Sequence, residues 1–307
     1  MQVHYNLDDL PKFQNAVITI GTFDGVHLGH QLIISTLINE ANKANGESVI
    51  ITFHPHPRKV VSSVVTGIRL INTLDERIEL LSKTGVDHLV VVPFTEYFAN
   101  QTAEEYIKYF LVEKFKPNTI IIGYDHRFGK DRTGNYLLMV QKAIEYNYTL
   151  KEIPEHLLDA VKVSSTTIRN ALLHGQIEEA NKLLGYAFFF TGQVVHGNKI
   201  GRTIGYPTAN LKSHNEEKIT LGDGIYAVYV TVVGKKYKGM LSIGFRPTVD
   251  GKKRVTEVNI FDFDEEIYDQ TIKVEIKKHL RQEVKFNSLD ELKQQLHTDK
   301  ENSLKCL

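Results

Sequence analysis

From residue 16 to about residue 150, short runs of β-branched and apolar residues alternate with stretches whose apolar positions recur at helical spacing. Residues 16–20, 48–53, 88–92 and 119–122 read as buried strands. Between them, residues 27–42 place Leu28, Leu32, Leu37 and Ile38 at helical spacing, and 136–146 reads as a further helix. Thr73-Leu-Asp-Glu76 and Thr102-Ala-Glu-Glu105 are capping-box patterns that open two more helices. Strict alternation of strand and helix predicts βαβ units on a parallel sheet. Such sheets bind ligands beyond the carboxyl ends of their strands, so the loops after Ile20, Phe53 and Ile122 are where chemistry is expected.

After Gly185 the pattern changes. Residues 188–195, 224–233, 237–243, 255–261 and 272–276 alternate with period two or are rich in β-branched residues, which predicts a small antiparallel barrel or sandwich. Ser288-Leu-Asp-Glu291 caps a last helix with Leu289, Leu292 and Leu296 on one face. The boundary is expected at Leu184, where a helix ends in glycine. The architecture is then an α/β domain over 1–184 followed by an all-β domain over 185–307.

Composition narrows the class. The 307 residues suggest two domains, and 37 basic residues balance 37 acidic ones, so neither nucleic acid nor an anionic membrane is suggested as a partner by charge. Cys306 is the single cysteine, which excludes an intrachain disulfide and a thiolate metal cluster and favours a reducing compartment. Residues 1–9 resemble no leader, and the longest apolar runs are strand-sized. A cytoplasmic protein acting on small molecules is expected; the oligomeric state is not legible.

The richest segment is Gly21-Thr-Phe-Asp-Gly-Val-His-Leu-Gly-His30, between the first strand and its helix. A helix N-terminus offers unpaired amides and the positive end of the macrodipole, and Gly21 and Gly25 let a ligand approach the backbone. His27 and His30 share a helix face and can donate to phosphate oxygens. A plain glycine turn with solvated histidines is the bland alternative. Zinc held by these two with His54 and His56 is another, although no acidic residue flanks the helical pair as in His-Glu-x-x-His sites. The loop Thr52-Phe-His-Pro-His-Pro-Arg58 follows the second strand and Gly123-Tyr-Asp-His-Arg-Phe-Gly129 the fourth. Ser164-Ser-Thr-Thr-Ile-Arg169 opens a helix with hydroxyls and a cation. These loops hold His, Arg, hydroxyls and amides without an obvious carboxylate base. Attack on an α-phosphate by another phosphate needs none, because that nucleophile is already ionised; the site must neutralise developing charge.

Taken together, Gly21 to His30, Phe53-His-Pro-His-Pro57, Gly123 to Gly129 and Ser165-Thr-Thr-Ile-Arg169 resemble the FMN adenylyltransferase half of bacterial bifunctional riboflavin kinase/FAD synthetases. The resemblance implies a Rossmann-like nucleotidylyltransferase fold, with nucleotide on Gly21, Thr22, Phe23, Asp24, Gly25, Asp125, Ser165 and Thr166. It implies His27, His30 and Arg169 as catalytic groups on the same nucleotide, and a flavin or phosphate loop at His54, Pro55, His56, Pro57 and Arg58.

In the second half, four glycines are spaced through residues 192–211, a pattern that could wrap a phosphate chain or simply be a hairpin of a small barrel. It is not a P-loop. Gly205-Tyr-Pro-Thr-Ala-Asn210 resembles the Pro-Thr-Ala-Asn motif of riboflavin kinases. That implies an antiparallel kinase barrel with ATP on Gly197, Lys199, Gly201, Arg202, Pro207, Thr208 and Asn210, and Mg²⁺ on Thr208 and Asn210. By the same resemblance Glu257 is the base for the neutral ribityl hydroxyl, and Arg281 joins it in the flavin pocket. Asp269 stands where relatives commonly have glycine, and His126 where they often have an aromatic ring. The implied function is phosphorylation of riboflavin to FMN and adenylylation of FMN to FAD, with ATP as co-substrate of both. The rivals are a transferase for another phosphate ester with a non-catalytic flavin-binding barrel, and a flavin-binding regulator without turnover.

Overall fold

Val17–Ile20 is buried at every position, because it lies inside a sheet covered on both faces. Six strands build that sheet: β1 (Gln2–His4), β2 (Val17–Ile20), β3 (Ser48–His54), β4 (His88–Pro93), β5 (Thr119–Gly123) and β6 (Thr149–Ile153). Their spatial order is β1-β4-β3-β2-β5-β6, and every pairing is parallel. The computed structural model describes residues 1–61, 69–154, 163–197, 201, 204–213, 215–248 and 251–307, the side chains of 246–248 and 251–253 excepted.

Alternation along the strands feeds two cores. Ile18, Val49, Ile51 and Ile120 pack on one face with Tyr106, Phe110, Phe115 and Phe128. Val17, Ile50, Leu89 and Ile121 pack on the other, against Ile34, Leu37 and Ala41 of helix Leu28–Lys43 and Leu81 of helix Leu74–Ser82. The Thr102 capping box forms as predicted, and the helix it starts runs as a π-helix over Tyr106–Val112. β1 and β6 were not predicted: one has three residues, the other has a single buried position, and neither carries a buried run. The strand order reverses between β2 and β5, which opens the crevice of such sheets at their carboxyl ends.

The period-two segments close into an antiparallel barrel of β7 (Phe189–Val195), β8 (Ala209–Lys212), β9 (Gly224–Val232), β10 (Lys235–Thr248), β11 (Gly251–Ile260) and β12 (Thr271–Arg281), in the order β10-β11-β8-β7-β12-β9. Tyr226, Val228, Val230, Leu241, Val258, Val274 and Ile276 are fully buried along these strands. Ser288 caps helix Leu289–Cys306 by accepting from Glu291 N at 3.2 Å.

Packing divides the chain into Met1–Ile68 with Leu74–Ser164, and Arg69–Thr73 with Ser165–Leu307. Gly185 does end helix Ile177–Leu184 in the left-handed conformation, at φ 78. That helix and Ser165–Leu173 nonetheless belong with the barrel, so the division by packing precedes the expected boundary at 184/185. Asn181 explains much of this: its Nδ2 donates to Ile276 O at 2.9 Å and its Oδ1 accepts from Phe188 N at 2.7 Å.

The excursion at Arg69–Thr73 is fastened to the same unit. Leu70 and Lys218 form a parallel bridge, with Leu70 N donating to Glu217 O at 2.7 Å and Ile219 N to Leu70 O at 2.8 Å. The buried Lys218 ammonium donates to Ile71 O at 2.7 Å and Phe189 O at 2.8 Å, and lies 4.5 Å from the centre of the Phe188 ring. A buried lysine survives here because carbonyl oxygens and a ring face replace its water. Lys218→Met is expected to destabilise the barrel unit by about 2–4 kcal/mol, since two buried carbonyls lose their donor. Urea unfolding followed by circular dichroism measures it; a change below ~0.5 kcal/mol would show that the ammonium does not hold the segment.

Candidate functional site

The turn after β2 is held open by unusual backbone. Phe23 (φ 48), Gly25 (φ 93) and Val26 (φ 37) all take positive φ, which for a β-branched valine is a strained state kept only where its surroundings enforce it. Phe23, Val26 and Asp24 are each about 2% exposed, so the turn is anchored in the core by its own side chains. Val26 N donates to Phe23 O at 3.1 Å, and Gln31 Nε2 reaches back to Val26 O at 2.9 Å.

His27 is the N-cap of helix Leu28–Lys43: its Nδ1 accepts from His30 N at 3.4 Å, as a serine or aspartate would. An accepting Nδ1 puts the proton of a neutral ring on Nε2. The two rings stack at 3.7 Å and 17°. Gly29 permits this, since a Cβ there would come within 3.3 Å of the His27 ring and of Val163. Burial, then the neighbouring His27, then Arg77 hold the His30 imidazole well below its ordinary pKa, so it stays neutral.

Beside this turn, β3 ends in the exposed His54, followed by Pro55 and His56, whose Nδ1 accepts from Arg58 N at 3.2 Å; Pro57 starts helix Pro57–Val61. Among the described residues no three His, Cys, Asp or Glu side chains form a metal-binding group. Asp125 is exposed in the loop after β5, where His126 N donates to Gly123 O at 3.1 Å. Ser165, Thr166 and Arg169 start helix Ser165–Leu173 and fall in the barrel's unit, apart from Gly21, Thr22, Gly25, His27 and His30. Arg169 Nε donates to Arg69 O at 2.8 Å.

Sequence reasoning missed Arg77. It sits on helix Leu74–Ser82, 5% exposed, and donates through Nη1 to Thr22 O and, at 3.1 Å, to Thr52 Oγ1. The signal available was a charged residue in phase with the apolar Leu81, one turn later on the same helix.

On the barrel, Asn210 and Glu257 are direct cross-strand partners of β8 and β11, and Ser242 of β10 pairs Glu257 on the other side. Directly opposed residues share a face with Cβ atoms about 5 Å apart, so an amide oxygen and a carboxylate are neighbours. A Cβ at Gly197 would lie 2.0 Å from Asn210 Nδ2, so only glycine lets that turn close over the amide. Gly201 O accepts from Tyr206 N at 2.8 Å. Thr208 is exposed, and Pro207 O accepts from Asn259 Nδ2 at 2.6 Å. Beside Pro207 is a cavity of about 380 Å³ bordered by Tyr206, Phe261, Asp262, Asp264 and Lys300. Lys199 and Arg202 lie outside the described residues. Arg281 ends β12 and is engaged by Asp299 in a two-pronged ion pair, at 2.9 Å from Nε and 2.6 Å from Nη2. Asp269 takes φ 62, a conformation that favours glycine, and donates its N–H to Val194 O at 2.9 Å.

The family model for FAD synthetase matches residues 10–167 and that for riboflavin kinase matches 184–307. Curated relatives named bifunctional riboflavin kinase/FMN adenylyltransferase include one from Buchnera aphidicola, 39% identical over 304 residues, covering 97% of this chain and 96% of that one. Another, from Haemophilus influenzae, is 37% identical over 291 residues and covers 94% of both. A crystal structure named as that of a macrolide-efflux protein from Streptococcus pneumoniae matches with a TM-score of 0.86 and 34% identity, covering 98% of this chain and 97% of that one. Among the described residues of this chain, no helix is long and apolar enough to cross a membrane.

His126 stacks on Phe128 with ring centroids 5.6 Å apart at 27°. Burial pushes its pKa down to about 4. Between pH 6.5 and 4 the unfolded chain therefore takes up a proton that the folded one refuses, and stability falls as pH falls through that window. His126→Phe removes this dependence. From pH 7.5 to pH 5 it should lose about 2 kcal/mol less than wild type in urea unfolding. Parallel losses in both proteins would contradict a neutral buried imidazole.

Proposed function

This chain belongs to the bifunctional riboflavin kinase/FMN adenylyltransferase family, and we infer that it performs two successive reactions on flavin. The barrel transfers the terminal phosphoryl group of ATP to riboflavin, giving FMN and ADP. The parallel-sheet unit joins the α-phosphate of a second ATP to FMN, giving FAD and pyrophosphate. The observation that carries this reading is where the base lies. Glu257 sits directly across the ladder from Asn210, whereas Asp24, the carboxylate of the His27–His30 turn, is buried against the charge of Arg77.

Each half has what its nucleophile requires. The phosphate of FMN attacks as an anion, so the first site needs donors that stabilise charge on the α-phosphate and on departing pyrophosphate. His27 and the neutral His30 imidazole donate to that charge, with the Thr22–Phe23 turn beside them. Ser165, Thr166, Arg169 and Asp125 bind the nucleotide, and the His54–Arg58 loop receives the flavin phosphate.

The ribityl hydroxyl is neutral at pH 7, and Glu257 accepts its proton as the bond to phosphorus forms. The oxygens of Thr208 and Asn210 suit Mg²⁺, which prefers hard oxygen ligands, and the closing of Gly197 over Asn210 fixes one of them. When bound, the ion would neutralise phosphate charge. Gly197 and Gly201 face the nucleotide phosphates, the resemblance assigns Lys199 and Arg202 to the same phosphates, and the cavity beside Pro207 takes the rest of the nucleotide. Arg281, oriented by Asp299, borders the flavin. Substrates and products are small molecules of the cytoplasm.

Incubation with ATP, Mg²⁺ and riboflavin, followed by chromatography of the flavins, tests both steps. Absence of FMN would remove the kinase assignment, and FMN that never advances to FAD would remove the other. His30→Ala should slow FAD formation by about 10²–10³-fold, the scale for losing one charge-stabilising donor, while riboflavin phosphorylation continues. Glu257→Gln should abolish most phosphorylation while supplied FMN is still adenylylated. Equal damage to both reactions by either substitution contradicts two separate sites.

A further inference from the structure

We propose that Arg77 is a positioning residue of the adenylyl-transfer site: from beneath the turn it fixes the Thr22–Phe23 peptide and supplies a permanent positive charge beside the stacked histidines. The proposal rests on the adenylyltransferase reading of that turn.

The geometry is specific. One guanidinium nitrogen of Arg77 donates both to Thr22 O and to Thr52 Oγ1, and Thr52 Oγ1 itself donates to Thr22 O at 3.2 Å. The Thr22 carbonyl is thus held from two sides by β3 and helix Leu74–Ser82. A trans peptide is planar with its C=O and N–H on opposite edges. Tying Thr22 O inward therefore sends the Phe23 N–H the other way, at the start of the turn whose amides receive phosphate. Phe23 is held there at φ 48, a conformation the loop would leave without a restraint.

A second observation separates this role from simple packing. Arg77 is 5% exposed, and its buried Nε has no hydrogen-bond partner. Burying a guanidinium costs several kcal/mol, and an apolar residue of similar volume commonly serves a core as well or better. The neighbouring Asp24 stabilises this charge, and Arg77 in turn acts on His30, which it helps to keep neutral. A fixed cation that needs no rearrangement during reaction is the kind of group that favours charge developing on phosphate.

The test compares Arg77→Met, Arg77→Lys and Thr52→Val in the full chain, reading FAD formation from supplied FMN and riboflavin phosphorylation in the same preparations. Arg77→Met should lower kcat for FAD formation by roughly 10–10²-fold, the scale of lost positioning or of one charge-stabilising group. KM for FMN should stay within about twofold, and the kinase rate should be unchanged. Arg77→Lys, which keeps the charge and can still donate, should recover part of that loss and remain about threefold or more below wild type. Thr52→Val should lower kcat by a smaller factor that does not multiply with that of Arg77→Lys, because both loosen one carbonyl.

Folded Arg77→Met with FAD formation within about threefold of wild type overturns the proposal. So does an equal loss of both activities, which marks a purely structural residue. If Arg77→Met does not fold, a multiplicative effect of Thr52→Val and Arg77→Lys, or no effect of either, overturns it. Wild-type protein that makes no FAD from FMN removes the adenylyltransferase reading and this inference with it, a result distinct from normal wild-type turnover with indifferent variants.

Discussion

The first amides of an α-helix have no carbonyl partners within the helix, and the parallel-sheet unit is organised around that deficit at Leu28–Lys43. One of these amides is satisfied by the imidazole of His27, which makes the capping group and the proposed donor the same side chain. The rest of the turn is held in shape by hydrogen bonds and by constraint: Val26 N donates to Phe23 O, buried Phe23 and Val26 hold positive φ, and Gly29 leaves space for the His27 ring. β2 and β3 up to Phe53 are buried, and their rigidity allows a strained loop to persist.

The barrel reaches an equivalent end by other means. The groups proposed to react there are not at a helix terminus but on adjacent strands, where the ladder sets their separation. Asn210 and Glu257 need no strained backbone, only correct register, and β11 is pinned on both sides by β8 and β10. The glycine-dependent element is the turn at Gly197, which lies against Asn210 from outside the ladder. Two unrelated scaffolds thus serve one class of chemistry. The difference between their nucleophiles is matched by the difference between an imidazole cap and a strand carboxylate.

Much of this was legible because it is written locally. Alternating strands and helices, the Thr102 and Ser288 caps and the glycine after Leu184 are short-range signals, and each formed where the pattern placed it. What was not legible depends on long-range partners. β1 has three residues and owes its existence to the register with His88 to Val90. β8 is a four-residue strand whose period is hidden inside a glycine-rich segment. Lys218 looks like an ordinary surface cation in sequence and only burial reveals it, while Arg77 left no more than its phase with Leu81 on the same helix. The departures were legible as positions but not as outcomes: Asp269 adopts a glycine's backbone conformation, and His126 stacks as an aromatic ring would.

The excursion of Arg69–Thr73 into the barrel's unit carries a consequence for chimeric chains. Those five residues and Lys218 are 145 or more positions apart in the chain, yet they share one set of hydrogen bonds. A chimera of two relatives joined at the outwardly natural seam near residue 184 would combine one parent's tether with the other's anchorage. Such a junction separates Leu70 and Ile71 from the Lys218 they were matched to, so the seam in sequence is not a seam in packing.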